Sequence, residues 1–348
     1  MNLKVFVIIL TPTIIFALPP TLGDIFWREW KRSYDKSYTR AEDFFRKQMW
    51  ERSLEHIADH NSRYTAGNVT FRVELNKFSD FGYTELRSKF TRTYLFSAKL
   101  QKSKKVEKRL PRNVDWRRRN GSCVSSVKNQ GGPGSCFAFS AVGAIEGQLC
   151  KKIGKLTGLS IQQILDCDLG NCGGYIDEIF KYIKRQGGIM SDVDYPYTSC
   201  LDCMQCLVKD PKKTFIPKIN RFLCDSHCKY RYRILKAKLQ GFRRVPSTEE
   251  DLKRAVATIG PIAAGIDARF DFPMYSNHND IYYEPRCSRR RLNHAVLVVG
   301  YGTNKKGDYW IVKNSWGTDW GASGYVRMSR NRGNNCGIAT AAMYPILK

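Results

Sequence analysis

Histidine is scarce in this chain, and acidic residues are outnumbered. Among 348 residues there are 5 His, and 32 Asp plus Glu stand against 58 Lys plus Arg, a formal net charge of +26. So one-sided a charge calls for an acidic partner, surface or compartment. No cysteine falls before Cys123, and all twelve lie in the C-terminal two thirds, which divides the chain into two differently built parts. Twelve cysteines are many for a reducing compartment and fit an oxidising one. After the first 18 residues no run approaches the ~18 consecutive apolar residues of a membrane-spanning helix. There is no collagen-like or solenoid period. With 42% hydrophobic and 26% charged residues the chain can bury a core, which excludes the disordered classes. At roughly 150 residues per domain the length suits about two domains.

Residues 1–18 carry one charge, Lys4, then two apolar runs, and end near Ala17 and Pro19-Pro20. This pattern predicts a secretory signal peptide cleaved near 17–20. From about 22 to 90 the chain is charged, aromatic and helical in pattern. Trp27, Trp30 and Tyr34 recur at spacings of three and four, and Phe45, Met49 and Ile57 continue that period. The stretch 97–109 is strongly basic and predicts an exposed, protease-accessible linker. Beyond it the pattern predicts helices over 136–152 and 175–186. Short β-rich runs follow at Pro261–Ile266, Ala295–Tyr301, Tyr309–Val312 and Gly324–Met328. Helices first and strands afterwards predict an α+β domain of two subdomains with a cleft between them.

Cys136 carries the first chemical signal. A Gly/Pro loop, Gly131-Gly-Pro133-Gly-Ser135, runs directly into the predicted helix, so the thiol sits in its first turn. Free N–H groups and the positive end of the dipole favour thiolate over thiol there. Two further segments add partners for a thiolate. His294 heads an apolar strand in Leu292-Asn-His294-Ala-Val-Leu-Val-Val-Gly. Asn314 precedes a paired Trp-Gly repeat, Asn314-Ser-Trp316-Gly-Thr-Asp-Trp320-Gly.

These segments together resemble the papain family of cysteine peptidases, and within it the cathepsin L-like branch written as a precursor; a cysteine signature with distant His and Asn is a documented trait of that family. The resemblance spans roughly residues 25–348. It implies a papain-like fold with a helical left and a β-barrel-like right subdomain. It implies Cys136 as nucleophile, His294 as general base and later acid, and Asn314 as the residue orienting the imidazole. Gln130 would serve as oxyanion donor with the backbone N–H of Cys136, and Trp316 would shield the Asn–His bond. Gly173 and Gly174 would offer backbone groups to substrate. Tyr175, Ile176, Gly265, Leu292 and Ala341 would line the S2 pocket, which is uncharged and so predicts a preference for a hydrophobic residue. No cofactor or metal is implied at the site.

The N-terminal region resembles the inhibitory propeptide of the same family. Glu42, Arg46, Trp50, Ile57 and Asn61 follow its ERFNIN spacing, with Trp50 in place of Phe and Ser53 in place of the first Asn. Glu74-Leu-Asn76-Lys-Phe78-Ser-Asp80 follows the GxNxFxD motif except at Glu74. The implied layout is a signal peptide over 1–18, a helical propeptide with basic linker over 19–109, and a peptidase domain over 110–348 with an insertion at about 200–227. The resemblance also implies disulfides Cys287–Cys336 and Cys167–Cys228. Pro133 stands where the family has a cysteine beside the nucleophile, so the bridge to the Cys172 segment is expected to be missing. One thiol among Cys123, Cys150 and Cys172 is then expected to stay unpaired. Cys200, Cys203, Cys206 and Cys224 of the insertion are read as disulfide partners rather than metal ligands.

The expected activity is that of a cysteine endopeptidase made as a lysosomal or secreted zymogen, acting on protein and peptide substrates. The insertion raises a cleft-restricted exopeptidase as an alternative, and Pro133 with Phe137 raises a catalytically impaired binding protein. Residues 207–244 hold twelve Lys/Arg and two Asp/Glu, and Arg286, Arg289, Arg290 and Arg291 precede His294. Sulfated glycans or acidic proteins are therefore candidate partners, whereas neither nucleic acid nor stable membrane insertion is expected. Asn68-Val-Thr70 and Asn120-Gly-Ser122 are glycosylation sequons compatible with secretion.

Overall fold

The computed structural model describes residues 20–82, 84–86, 94–95, 109–118, 121–131, 134–167, 174–198, 228–269, 271–276 and 279–348. The expected signal peptide, Pro133, Cys172, Gly173 and the insertion at about 200–227 lie outside these, as does nearly all of the basic linker.

Two helices form the N-terminal part, α1 (Pro20–Ser33) and α2 (Arg40–Thr65). Thr39 caps α2 by accepting the Glu42 N–H, and Glu42 and Asp43 sit at the positive end of its dipole. Its buried face is Arg46, Trp50, Ser53, Ile57 and His60, at helical spacings of four, three, four and three. Phe45, expected on that face, is half exposed, and Phe44 is more so. Ile57 lies on the face as expected, whereas in the first turns the face falls one residue later, on Arg46 and Trp50, where the polar side chain finds its partners. Arg46 bonds Glu42, Glu85 and the Asp80 carbonyl; Ser53 Oγ donates to the Ser79 carbonyl at 2.7 Å. Trp27 and Trp30 of α1 stack at 5.2 Å and meet Trp50 of α2.

Next come strands β1 (Tyr94–Leu95) and β2 (Val114–Asp115), then helices α3 (Cys136–Ile153), α4 (Gln162–Cys167) and α5 (Ile176–Arg185). The remaining elements are β3 (Leu239–Arg244), α6 (Glu249–Thr258), β4 (Ile262–Ile266), β5 (Arg291–Leu292), β6 (His294–Asn304), β7 (Gly307–Lys313), β8 (Tyr325–Ser329) and β9 (Ala342–Leu347). The main sheet is antiparallel in the order β3-β9-β4-β6-β7-β8, with β2 also on β6. Helices α3–α5 thus precede the main run of strands, as the α+β pattern predicts, with β2 ahead of them and α6 between β3 and β4.

α3 is buried along nearly its whole length and packs on β6, β9, β4 and α5. Two mid-helix glycines permit that approach. A Cβ on Gly147 would stand 2.7 Å from the Pro261 ring, and one on Gly143 would stand 2.8 Å from the Leu297 side chain. The helical penalty of about 1 kcal/mol per glycine is accepted for close packing. Gly154 ends the helix in the left-handed conformation and donates its N–H to the Cys150 carbonyl.

Cys287–Cys336 and Cys167–Cys228 are bonded as expected. Cys123 and Cys150, expected as possible unpaired thiols, bond to each other. Spacing alone does not reveal this pair, because a 27-residue separation is closed only once α3 returns its C-terminus to the Cys123 loop. Among the described residues Cys136 is the one cysteine outside a disulfide.

Candidate active site

Cys136 opens α3, fully buried, with Ser135 at the N-cap. Its Sγ lies 3.4 Å from the backbone nitrogen of Ala295, which donates to it. That nitrogen belongs to β6, so the thiol and His294 are brought together where the head of the sheet meets the first turn of the helix.

His294 and Asn314 come together through sheet register. β6 begins at His294, β7 ends at Lys313, and Leu297 pairs with Lys313. The residue after β7 therefore reaches back to the head of β6, and His294 Nε2 stands 2.8 Å from Asn314 Oδ1. An amide oxygen is acceptor only, so Nε2 carries the proton. The other ring nitrogen, Nδ1, is buried and has no hydrogen-bond partner among the described residues. Asn314 Oδ1 also accepts the Ser315 N–H at 2.8 Å, which fixes which face of the amide meets the imidazole. The Trp316 ring lies over His294, with centroids 4.7 Å apart. Burial pushes the imidazole of His294 down to about 4, against the opposing bond from Asn314.

Gln130 reaches the site from the loop before α3, and the Asn314 loop holds it. Its N–H donates to the Ser315 carbonyl at 2.8 Å, and Gly317 N–H donates to the Lys128 carbonyl at 3.1 Å. Ser315 Oγ donates to Gln130 Oε1 at 2.6 Å, so the carboxamide presents its NH₂ as the remaining donor end. Tyr197 donates to the Gln130 carbonyl. Ser315, Tyr197 and the Ala295 N–H are site contacts that sequence reasoning missed. Two work through backbone groups, which no residue pattern marks; Ser315, adjacent to Asn314, was within reach of it.

The remaining expected residues divide between the two halves. On the sheet side Gly265 donates its N–H to the Ala341 carbonyl at 3.1 Å, and Gly265 pairs with Ala295, next to His294. Leu292 is fully buried in β5, two residues before His294. On the helical side Gly174 and Tyr175 lead into α5, with Tyr175 part exposed and Ile176 buried.

The N-terminal part docks on the sheet side of this site at two places. β1 pairs antiparallel with β5, Tyr94 with Leu292 and Leu95 with Arg291. Val73 bridges Tyr275, and Asn76 Nδ2 donates to the Pro273 carbonyl at 2.7 Å. Phe78 meets the Trp316 ring edge-on at 5.2 Å, and Lys77 Nζ reaches the Trp316 carbonyl at 2.6 Å and Asp319. Motif residue Asp80 is buried under Lys36, Tyr38 and Arg46.

A thiol at a helix start, an imidazole held by an amide, and an N-terminal segment docked on the ring that lies over that imidazole define a class: a cysteine peptidase with its inhibitory propeptide in place. Residues 110–346 match the papain family cysteine protease domain, and residues 27–86 match the cathepsin propeptide inhibitor domain. The chain belongs to the papain family.

Among particular proteins, it is 40% identical over 338 residues to procathepsin L of Rattus norvegicus, covering 92% of this chain and 91% of that one. It is 38% identical over 353 residues to cathepsin K of Mus musculus, covering 98% and 99%. The solved digestive procathepsin L 3 of Tenebrio molitor larval midgut superposes with a TM-score of 0.78 at 37% identity, covering 94% of this chain and 99% of that one. Recombinant stem bromelain precursor superposes at 0.76 with 30% identity, covering 94% and 99%. The protein is thus a cysteine protease zymogen carrying an inhibitory propeptide.

Proposed function

We propose that the mature protein is an endopeptidase in which Cys136, His294, Asn314 and Gln130 carry the chemistry. The observation that supports this most is the 2.8 Å His294–Asn314 contact, with Cys136 Sγ held beside it by the Ala295 N–H. With Nε2–H committed to Asn314, Nδ1 is the nitrogen that takes the thiol proton. The resulting thiolate attacks the scissile carbonyl carbon. The oxyanion that forms is met by the Gln130 carboxamide and the Cys136 N–H, donors fixed before reaction. The C–N bond breaks as Nδ1 returns its proton to the leaving amine, leaving a thioester on Cys136. A water, deprotonated by the same nitrogen, then attacks the thioester carbonyl and frees the acid and the thiol.

Specificity on this reading comes from an S2 pocket formed by Tyr175, Ile176, Gly265, Leu292 and Ala341, with Gly173 and Gly174 aligning the substrate strand. Leu292 and Ala341 offer apolar surface, and Gly265 leaves room. A hydrophobic or aromatic residue two before the scissile bond is expected to be preferred. A library of blocked peptides varied at that position tests this: a preference for Asp, Glu, Lys or Arg there contradicts it. Strong selectivity for substrates with a free C-terminal carboxylate would point instead to a cleft-restricted exopeptidase.

The domain layout follows the same reading: leader 1–18, propeptide 19–109, peptidase 110–348 with its insertion at about 200–227. Three disulfides support passage through the secretory pathway to a lysosomal or extracellular site. The basic residues before His294 support binding of sulfated glycans or acidic proteins. Elution from heparin at low salt would remove the glycan partner.

A further inference from the structure

Away from the catalytic centre, two of the five histidines converge on one carboxylate at the seam between propeptide and peptidase. His56 and His60 lie one turn apart on α2, the spacing that puts two imidazoles on one helix face for a shared metal. Asp271 comes from the peptidase segment between β4 and β5. One ligand atom from each residue falls within 4.8 Å of the others. His60 and Asp271 are buried, whereas the His56 side chain is 45% exposed and leaves one side open to solvent.

The hydrogen bonds already select the ligand atoms. His60 Nε2 stands 2.9 Å from the Phe71 carbonyl oxygen and can only donate to it. A neutral His60 therefore turns the lone pair of Nδ1 toward Asp271 Oδ2, 3.5 Å away. A lone pair facing a carboxylate is repulsive unless a second ring proton or a metal cation lies between them. A metal-bound imidazole typically gives its other N–H to a carbonyl in this way. The separation is also close to the ligand–ligand edge of about 3.3 Å in a tetrahedral site with ~2.0–2.1 Å bonds. His56 Nε2 is 2.5 Å from Asp271 Oδ1, a proton-bridged distance; its half-exposed ring can retreat to admit an ion. Arg286 approaches Asp271 Oδ2 at 3.7 Å, but its guanidinium is bonded twice to Glu284, which offsets its charge.

We propose that His56 Nε2, His60 Nδ1 and an Asp271 carboxylate oxygen bind one zinc ion, with water in the fourth position. Two imidazoles and a carboxylate form a donor set suited to zinc. Two ligands belong to the propeptide and one to the peptidase, so the ion is a clasp across the inhibitory interface. Binding to the closed precursor alone stabilises it by mass action and slows propeptide release.

The test uses the full precursor carrying Cys136→Ala, which neither processes itself nor offers the catalytic thiol to zinc. Zinc is titrated calorimetrically, and cobalt(II) is added separately for its visible spectrum. The expected result is one ion per chain, a tetrahedral cobalt spectrum and a rise in Tm with zinc. Adding His56→Gln, at the half-exposed ligand, is expected to weaken binding by at least about tenfold and to cancel the Tm rise. Asp271→Asn does the same from the peptidase side. The proposal is overturned if the parent precursor binds no stoichiometric zinc, or if it binds zinc and His56→Gln, folded by circular dichroism, binds it equally. In the processing-competent precursor, zinc should slow maturation and a chelator restore it, with no such response in His56→Gln. The binding arms need no catalysis, so they stand apart from the proposed chemistry.

Discussion

His294 is the residue on which pH acts most directly. Its imidazole, ordinarily near 6.5, is pushed down to about 4 by burial in the precursor. The unfolded chain thus binds a proton that the folded precursor refuses. Stability from this source is full above pH 6.5, falls as pH drops toward 4, and levels off below. The shift corresponds to about 3 kcal/mol. The depressed carboxylates Asp271 and Asp280 add losses only below about pH 4, and His56, raised by Asp271, acts in the opposite sense around neutrality. Denaturant unfolding of the Cys136→Ala precursor from pH 7.5 to 4.5 is expected to show the loss. Adding His294→Gln should remove most of that slope; an unchanged slope contradicts the assignment. The candidate site was legible at this scale because thiol, imidazole and amide each stand in a distinctive local string. The support from Ala295 N–H was not legible, since a backbone group has no signature. Phe45 falls off the buried face because polar residues Arg46, Ser53 and His60 share that face with their bonds satisfied.

At the scale of elements, α3 bears Cys136 at one end and the Cys123–Cys150 disulfide at the other. The sequence departs from the usual family bridge beside Cys136, so this pair ties the helix from its far end instead. A 27-residue separation corresponds to about 3–4 kcal/mol of loop entropy. Cys123→Ser with Cys150→Ser is expected to lower the stability of the precursor by that order in denaturant, while the His294–Asn314 pair, held by β6 and β7, is untouched. A change under about 1 kcal/mol would contradict a tethering role. β4, β6, β7 and β8 were legible as apolar runs between turns, each found within three residues of its observed ends. β3 (LQGFRR) was not, because it is polar and lies at the sheet edge, and β9 is interrupted by Pro345. α6, not among the expected helices, carries a readable signal all the same: Thr248 caps it by accepting the Asp251 N–H, and three acidic residues fill its first turn.

Across the whole molecule, inhibition rests on a few buried anchors between two parts of one chain. Phe78 is buried against Trp316, the ring that covers His294. Phe78→Ala removes a fully packed aromatic, a loss of about 3 kcal/mol or more, or over 100-fold in propeptide hold. The variant precursor is expected to hydrolyse a small peptide at neutral pH before any processing, where the parent does not. Equal latency would place the inhibitory contact elsewhere. The two-part architecture was legible from the cysteine-free N-terminal third and its two motifs. The route by which those motifs lock on was not, because it depends on Tyr275, Pro273, Asp280 and Asp319, which lie about 200 residues away in sequence.

The account turns on a reactive Cys136 exposed by loss of the propeptide. The direct measurement is active-site labelling: express the precursor through a secretory host, acidify it, and add an epoxide that alkylates papain-type thiolates, with Cys136→Ala in parallel. A processed form of about 27 kDa, the share of residues 110–348 in a 40.0 kDa chain, is predicted to take up one label only when Cys136 is present. A processed, folded protein that never labels would contradict the catalytic assignment and leave a papain-like binding protein in its place.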